Sequence, residues 1–245
     1  MDKKQRTANQ NAMTNPTQDT HCTPAKKPTT VKIKICGMKY PENILEIAAL
    51  QPDYMGFIFW EKSARYFDGV LPELPKSIQK TGVFVQETIP NILQKVNQYH
   101  LQAVQLHGNE SVAYCTELQK TLPKNIQIIK VFSVLETFDF NALKPFEPLC
   151  DYFLFDTKGK LPGGNGTSFD WKMLENYPST KPFFLSGGIG LDQMDAVSKI
   201  LKTKLPVYAI DVNSKFETEP ALKNKSRCLE AINTLNTYQH TNHKK

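Results

Sequence analysis

Side chains that can exchange protons stand at the ends of several predicted strands. Cys36 follows the alternating run "VKIKI" of residues 31–35, and Asp156 and Asp211 end two later apolar runs. His107 follows another such run, in "VQLHG". Thiols, carboxyl groups and imidazoles are side chains that act as general acids and bases. If the strands bring their ends together, these residues form a site for proton transfer.

The stretch "SGGIG", residues 186–190, favours the binding of a phosphate group. Gly187 and Gly188 allow backbone N–H groups to approach an anion closely. A helix is predicted directly after them, and the positive end of its dipole adds to the attraction. Asn213 and Ser214 follow the last predicted strand, and we assign them to the same phosphate site.

Two other stretches fit the surroundings of a substrate. Arg65, in "WEKSARY", follows the second predicted strand and is the only arginine between residues 31 and 226. The stretch "KGKLPGGNGTSFDW" follows the strand that ends at Asp156. A long glycine-containing loop beside a site is typical of a lid that closes over a substrate. The predicted lid glycines are Gly163, Gly164 and Gly166.

The elements that position these residues are predicted from eight apolar, β-branched runs with helical segments between them. Strands separated by helices pair in parallel, because a parallel connection needs a crossover. Eight repeats match the size of a single-domain α/β protein with a (β/α)₈ barrel, which has roughly 200 residues or more. The predicted strands are 31–36, 54–59, 81–85, 103–106, 126–132, 152–156, 182–185 and 206–212.

The positions of the candidate site residues favour a barrel over an open sheet. Barrels place their chemistry at the C-terminal ends of the strands and often bind phosphate after strands seven and eight, which agrees with the residues above. A doubly wound open sheet is the alternative, but it favours GxGxxG after the first strand, where this chain has "CGMKYPEN". Helices are predicted at 44–50, 89–99, 110–122, 171–177, 191–201 and 220–235, and more weakly near 72–79 and 136–143.

Composition argues against several classes of protein. No apolar run approaches the roughly 20 residues that cross a bilayer, and no apolar signal segment begins the chain. The net charge is +6, but residues 1–30 contribute +3 and residues 236–245 contribute +2, so little basic charge remains for binding nucleic acid. The five cysteines and five histidines form no CxxC or HExxH pattern. We therefore expect no metal site and a reduced, cytoplasmic environment.

The chain is predicted to contain one folded domain between two polar tails. Residues 1–30 have almost no apolar side chains and are predicted to be disordered. The barrel is predicted over residues 31–237. Residues 238–245 are predicted to be a frayed C-terminal tail.

These motifs, in this order, resemble the phosphoribosylanthranilate isomerase family over about residues 31–235. The matching stretches are "KICG", "KSARY", "GVFV", "VQLHG", "FDT", "LSGGI" and "DVNS". The resemblance implies the Amadori rearrangement of N-(5-phosphoribosyl)anthranilate to 1-(2-carboxyphenylamino)-1-deoxyribulose 5-phosphate in tryptophan biosynthesis. It implies a small phosphorylated substrate, no cofactor, no nucleic-acid or membrane partner, and a monomer or homodimer.

The resemblance also assigns roles to residues. It makes Cys36 the general base and Asp156 the general acid, and it places Arg65 opposite the anthranilate carboxylate. His107 is expected either to contact the substrate or to orient a loop, and Asp211 to lie at the substrate. A cysteine base acts as a thiolate, so we expect the pKa of Cys36 to need lowering from its ordinary value near 8.5.

The chain departs from the family pattern at two places. Ala64 stands where the family often has proline before the arginine. The loop after strand eight reads "NSKFE" where the family usually has SSGVE, so Lys215 replaces a glycine near the phosphate. A lysine at this position can contact phosphate directly.

Two rival functions fit a phosphate-binding barrel. Indole-glycerol-phosphate synthase would need a lysine and a glutamate at strand ends, and Lys34 and Lys130 are the only rough lysine candidates. A non-catalytic barrel could instead bind a phosphorylated ligand for regulation. The presence of both Cys36 and Asp156 argues against this second rival.

Overall fold

The structure, a computed structural model, describes residues 30–134, 138–157 and 171–242. Eight parallel strands form a closed barrel in chain order, so the (β/α)₈ prediction is confirmed. All of the predicted N-terminal tail except Thr30 lies outside the described residues. The barrel strands are β1 (Lys32–Cys36), β2 (Tyr54–Ile58), β3 (Gln79–Phe84), β4 (Ala103–Leu106), β5 (Gln127–Val134), β6 (Tyr152–Thr157), β7 (Phe183–Ser186) and β8 (Val207–Val212).

Helices surround the barrel, and a small hairpin follows its last strand. The hairpin strands are β9 (Glu217–Glu219) and β10 (Leu222–Lys223). The helices are α1 (Pro41–Ala48), α2 (Ile89–Tyr99), α3 (Val112–Thr121), α4 (Met194–Leu201) and α5 (Lys225–Asn242), with 3₁₀ helices at Phe140–Leu149, Trp171–Asn176, Leu191–Gln193 and Ser214–Phe216.

The prediction of a helix near 72–79 is wrong. This segment is irregular up to a turn before β3, in which the Ile78 N–H donates to the Pro75 carbonyl at 2.9 Å. Pro72 and Pro75 lack the N–H groups that a helix needs, and their rings clash with the preceding turn. The apolar spacing of this segment therefore does not produce a helix.

Three other helix predictions differ from the structure in type or extent. Near 136–143 the described residues form the 3₁₀ helix Phe140–Leu149, which contains Pro145 and Pro148. The helix predicted at 171–177 is also 3₁₀. The first residues of the helix predicted at 220–235 form β10 instead. At its other end, α5 continues to Asn242, and Tyr238, within the predicted tail, packs against the core.

The alternation in the first strand is correct, but its polar face points into the barrel. Ile33 and Ile35 pack outward, in the apolar layer between the strands and the helices. Lys34 and Cys36 point toward the barrel interior, because side chains two residues apart share one face of a strand. Below them, a second apolar cluster that includes Tyr54 and Phe184 fills the barrel centre.

A buried ion pair joins the loops after β3 and β4 to β5. The Lys130 ammonium donates to Glu110 Oε2 at 2.8 Å and to the Gly108 carbonyl at 2.7 Å. Glu110 Oε1 accepts from the backbone N–H groups of Gln86 and Gly108 at 2.9 and 3.0 Å. Burial raises the pKa of Glu110, but Lys130 and the Gln86 amide outweigh it, so this pKa lies below its usual range. The pair fixes the loop that contains His107.

Replacement of Lys130 by methionine is expected to lower the free energy of unfolding by about 3–5 kcal/mol, because it leaves the Glu110 carboxylate buried without its partner. Urea unfolding at neutral pH measures the loss. Because the pKa of Glu110 is lowered, the contribution of the pair is present above the unfolded-state pKa and is lost as the pH falls through the folded-state value. Lys32→Met, which removes the partly exposed pair with Asp53, should cost at most about 1 kcal/mol. Equal losses in the two variants would contradict this interpretation.

Candidate active site

A cavity of about 180 Å³ opens at the C-terminal ends of the strands. It is lined by residues from β1, β2, β3, β4, β6, β7 and β8 and from the loops after β4, β7 and β8. The fold thus brings together most of the residues that the sequence analysis selected. The predicted residues that line the cavity are Cys36, His107, Asp156, Gly187, Gly188, Asp211, Asn213 and Ser214.

Cys36 is placed by its partner on β2. It lies opposite Gly56 in the parallel register, and the Cys36 side chain occupies the space that a side chain at residue 56 would need. A Cβ atom at Gly56 would lie 2.7 Å from the Cys36 sulfur. The next residue, Gly37, has φ +77°, which turns the chain sharply away from the strand.

The electrostatic surroundings of Cys36 contain opposing charges. Burial raises the pKa of the Cys36 thiol above its ordinary value, and the Asp211 carboxylate raises it further. Lys34 opposes this shift through its charge and a hydrogen bond, and Lys223 opposes it through its charge. The net pKa is raised, so the surroundings do not produce the lowered value that the sequence analysis expected. The two lysines are the main groups that favour the thiolate.

Asp156 is the penultimate residue of β6, across the cavity from Cys36, and it contacts His107. The distance from His107 Nε2 to Asp156 Oδ2 is 3.4 Å, and the exposed fractions of the two side chains are 32% and 18%. On its other side, His107 Nδ1 is 3.0 Å from the side-chain nitrogen of Gln105. With the amide nitrogen as donor, Nδ1 is an acceptor and Nε2–H points at Asp156. These contacts favour His107 as a group that orients Asp156.

Both carboxylate oxygens of Asp211 have protein partners. Oδ1 accepts from the Lys34 ammonium at 2.9 Å, and Oδ2 accepts from the Ser186 hydroxyl at 3.3 Å. The side chain of Lys34 is fully buried and that of Asp211 is 6% exposed. The observed contacts of Asp211 are with Lys34 and Ser186, on the two neighbouring strands. Its predicted contact with a substrate stays a prediction.

Arg65 lies outside the lining of this cavity and binds a carboxylate of the protein itself. Its Nε and Nη2 atoms donate to the two Glu217 oxygens at 2.8 and 2.7 Å. Glu217 also pairs with the buried ammonium of Lys223, which donates to Asn213 Oδ1 at 2.7 Å. Arg65 still adjoins the site, because a Cβ atom at Gly37 would lie 2.7 Å from its Cδ atom. The predicted contact of Arg65 with a substrate carboxylate stays a prediction.

The loop after β7 has an open glycine backbone of the kind that binds anions, and the loop after β8 lies beside it. Gly187 and Gly188 have φ values of +101° and +66°, and no atom lies within 4 Å of a Cβ atom built at Gly188. The exposed side chain of Lys215 passes close to Gly190, where a Cβ atom would lie 3.4 and 3.5 Å from the lysine Cβ and Cγ atoms. Lys215, which stands where the family motif has a glycine, thus packs the base of its side chain against the loop after β7.

Other predictions fall outside these residues. The lid glycines Gly163, Gly164 and Gly166 are not among the described residues. Within the described ranges, no three His, Cys, Asp or Glu side chains are grouped as a metal site would require. Of the helices in residues 30–134, 138–157 and 171–242, none combines the length and apolar character needed to cross a membrane.

The lysine candidates for the rival synthase do not form a lysine–glutamate pair at the cavity. Lys130 and Glu110 do pair, but they lie on the outer side of β4 and β5 and do not line it. Lys34 pairs with an aspartate instead. Sequence analysis missed Glu217, Lys223 and Gln105 as neighbours of the site. Only Glu217 had a signal, because it ends the quoted loop "NSKFE".

Fold and cavity together define a (β/α)₈-barrel protein with titratable side chains and a glycine-rich loop around one cavity at the C-terminal face. The family model for N-(5′-phosphoribosyl)anthranilate isomerase matches residues 33–233, and the chain belongs to this family. The N-(5′-phosphoribosyl)anthranilate isomerase of Phocaeicola vulgatus is 42% identical over 204 residues, covering 83% of this chain and 97% of that protein.

Solved structures agree with this membership. The phosphoribosyl anthranilate isomerase of Thermotoga maritima is 29% identical with a TM-score of 0.72, covering 85% of this chain and all of that one. A phosphoribosyl anthranilate isomerase solved in complex with reduced 1-(o-carboxyphenylamino)-1-deoxyribulose 5-phosphate is 27% identical with a TM-score of 0.70, at the same coverage.

Gly56→Ala is expected to lower the free energy of unfolding by about 1–3 kcal/mol, the usual range for overpacking a filled interior. The added methyl group would lie 2.7 Å from the Cys36 sulfur and 3.1 Å from the Cys36 Cα atom, so the strand itself must move. Urea unfolding measures the change. The control is Gly69→Ala, where the nearest atom is 3.8 Å away and little change is expected. A Gly56→Ala protein as stable as its control would show that Cys36 is not held in this way.

Proposed function

We propose that this chain isomerises N-(5-phosphoribosyl)anthranilate to 1-(2-carboxyphenylamino)-1-deoxyribulose 5-phosphate, as a step of tryptophan biosynthesis. The observation that supports this most strongly is that Cys36 and Asp156 line one cavity together with the glycines after β7 and the polar loop after β8. A base, an acid and an anion site at one face are what an Amadori rearrangement of a sugar phosphate needs.

In the proposed mechanism, Asp156 donates a proton to the ring oxygen of the ribose. The C1′–O bond breaks, and the anthranilate nitrogen supplies electrons to form a protonated Schiff base. The Cys36 thiolate then removes the C2′ proton, and the electron pair neutralises the nitrogen to give an enolamine. Tautomerisation moves the enol proton away and protonates C1′, which leaves the ketone at C2′. These steps are proton transfers and one ring opening with no change of overall oxidation state, so the reaction needs no cofactor.

The substrate has two anionic ends, and the proposed contacts separate them. Gly187, Gly188 and Ser214 hold the phosphate through backbone and hydroxyl donors, and Asn213 lies beside them. Lys215 adds a charge that the family motif lacks. Arg65 binds the anthranilate carboxylate, either by sharing its guanidinium with Glu217 or by exchanging that partner for the substrate. His107 orients Asp156. Asp211 lines the cavity at its base and lies next to the bound substrate.

Further proposals concern the location, the oligomeric state and the domain organisation of the chain. We propose that the chain acts in the cytoplasm, as a monomer or homodimer, with residues 31–237 as its single catalytic domain between polar tails. The glycine-containing segment around Gly163, Gly164 and Gly166 acts as a lid, because it directly follows the strand that ends beside Asp156. No nucleic acid or membrane takes part.

Cys36→Ala tests the base directly. Turnover is expected to fall by a factor of about 10² or more, with little change in KM, because a base acts on the transition state and not on ground-state binding. The decrease of anthranilate fluorescence on adding the aminoaldose measures the rate. Cys115→Ala, in α3 and outside the cavity, is the control and should keep normal turnover. A Cys36→Ala protein with more than about a tenth of wild-type kcat would remove Cys36 from the mechanism.

Asp156→Asn tests the acid through the pH dependence. Activity requires the acid protonated and the thiol ionised, so kcat against pH should be bell-shaped when chemistry limits the rate. The amide keeps the shape of the side chain but cannot donate a comparable proton, so kcat should fall about 10²-fold or more. The decline at high pH should vanish, leaving a rise that follows the thiolate. Asp195→Asn, exposed on α4, should retain the bell shape. Persistence of both limbs in Asp156→Asn would assign the acid to another residue.

A further inference from the structure

A fully buried lysine lies beneath the cysteine at the mouth of the barrel. Lys34 is two residues before Cys36 on β1, so both side chains point to the barrel interior. In the parallel register of β1 and β8, Lys34 lies opposite Asp211, and the two side chains form an ion pair of 2.9 Å. The charge of Lys34 also acts on the neighbouring Cys36 thiol and lowers the pKa of that thiol, against the larger effect of burial. The three groups form a buried line from β8 to the cavity.

We infer that Lys34 is a positioning residue that holds the Cys36 sulfur in place and stabilises its thiolate, with Asp211 as the fixed counter-charge that keeps the lysine protonated inside the barrel. The relevance to turnover rests on the proposed function, in which Cys36 is the base. The placement of lysine and thiol on the same face of β1 does not depend on that function.

The charges around Cys36 come from four elements, and Lys34 has the strongest favourable effect. From β1, Lys34 favours the thiolate, whereas Asp211 on β8 disfavours it. From β10, Lys223 favours it more weakly, and its ammonium is committed to Glu217 and Asn213. From the loop after β2, Arg65 interacts with the Cys36 charge while paired with Glu217. Without Lys34, the increase that burial causes in the pKa of Cys36 would be largely unopposed.

A purely structural role explains the lysine less well. A buried ion pair is a weak source of stability, because desolvation of its charges costs about as much as their attraction gains. Apolar residues of similar volume would fill the barrel interior equally well, as the neighbouring Tyr54 and Phe184 cluster does just below. A lysine at this position has a specific purpose if the Cys36 thiol above it must ionise, because its positive charge stabilises the thiolate.

The thiol titration of Cys36 can be measured without substrate. Rates of alkylation by iodoacetamide are followed against pH through the tryptic peptide that contains Cys36 as its only cysteine. This peptide spans residues 35–39, or 33–39 where Lys34 is replaced. The midpoint of the profile reports ionisation, and it is independent of the intrinsic nucleophilicity that changes with the pKa. Cys228 is fully buried and must stay unreactive, which shows that each variant is folded.

Lys34→Met is expected to move the Cys36 midpoint upward by about one pH unit or more, a tenfold smaller thiolate fraction at neutral pH. Because this variant leaves Asp211 buried without its partner, the double variant Lys34→Met/Asp211→Asn is measured as well. It should also have a raised midpoint, by less than the single variant, because the opposing carboxylate is lost too. The matched control is Lys130→Met/Glu110→Gln. It removes a buried ion pair on the outer side of β4 and β5 and should leave the Cys36 midpoint unchanged.

A folded Lys34→Met or double variant with the wild-type midpoint would overturn the inference. Turnover separates this result from failure of the proposed function. If the function is correct, kcat of Lys34→Met should fall with the thiolate fraction while KM stays near its wild-type value. If alkylation shifts as expected but the wild-type chain does not convert the aminoaldose, the role of Lys34 stands and the proposed function is wrong.

Discussion

The pairing of the first strand with the last determines the arrangement of the site. When β1 joins β8, Lys34 comes to lie opposite Asp211, and the ion pair between them is buried inside the barrel. Asp211 then also contacts Ser186 on β7, so that three adjacent strands meet beneath the cavity. Cys36 lies directly above this pair. A barrel closed in any other register would move Asp211 away from Lys34 and leave the lysine buried beside the thiol without its counter-charge.

This arrangement has an energetic cost that function can explain. Burial raises the pKa of Cys36, and the nearby Asp211 carboxylate adds to the shift, so the thiol is held less acidic than in water. Lys34 and Lys223 reduce that effect without reversing it. A base with a raised pKa is strong once ionised, and a positioned cation makes the ionised form accessible. The proposed mechanism uses both properties.

The sequence predicted the strands well because alternation and β-branched content report local structure. It could not predict which face of β1 points into the barrel, because that depends on closure with β8. The helix at 72–79 failed since prolines override apolar spacing. The hairpin at 217–223 replaced the start of a helix because its backbone is bound elsewhere: the Lys223 N–H and carbonyl both bond to the Asn43 side chain, at 2.8 and 2.9 Å.

The site was predictable where the strand-end rule of barrels applies, as it does for Cys36 and Asp156. It was not predictable where partners come from distant segments. Glu217 is 152 residues from Arg65, and only the folded path of the hairpin brings the two together. Likewise, Gln105 is two residues from His107, but no sequence pattern shows that its side chain turns toward the imidazole.

A crystal structure with a reduced analogue of the proposed product would test most directly whether Cys36 and Asp156 act on one bound molecule. We expect the phosphate against Gly187 and Gly188, and both the Cys36 sulfur and a carboxylate oxygen of Asp156 within about 3.5 Å of the ribulose chain. Binding of the analogue elsewhere, or with either group beyond the reach of a hydrogen bond or one bridging water, would contradict the assignment of this pair as base and acid.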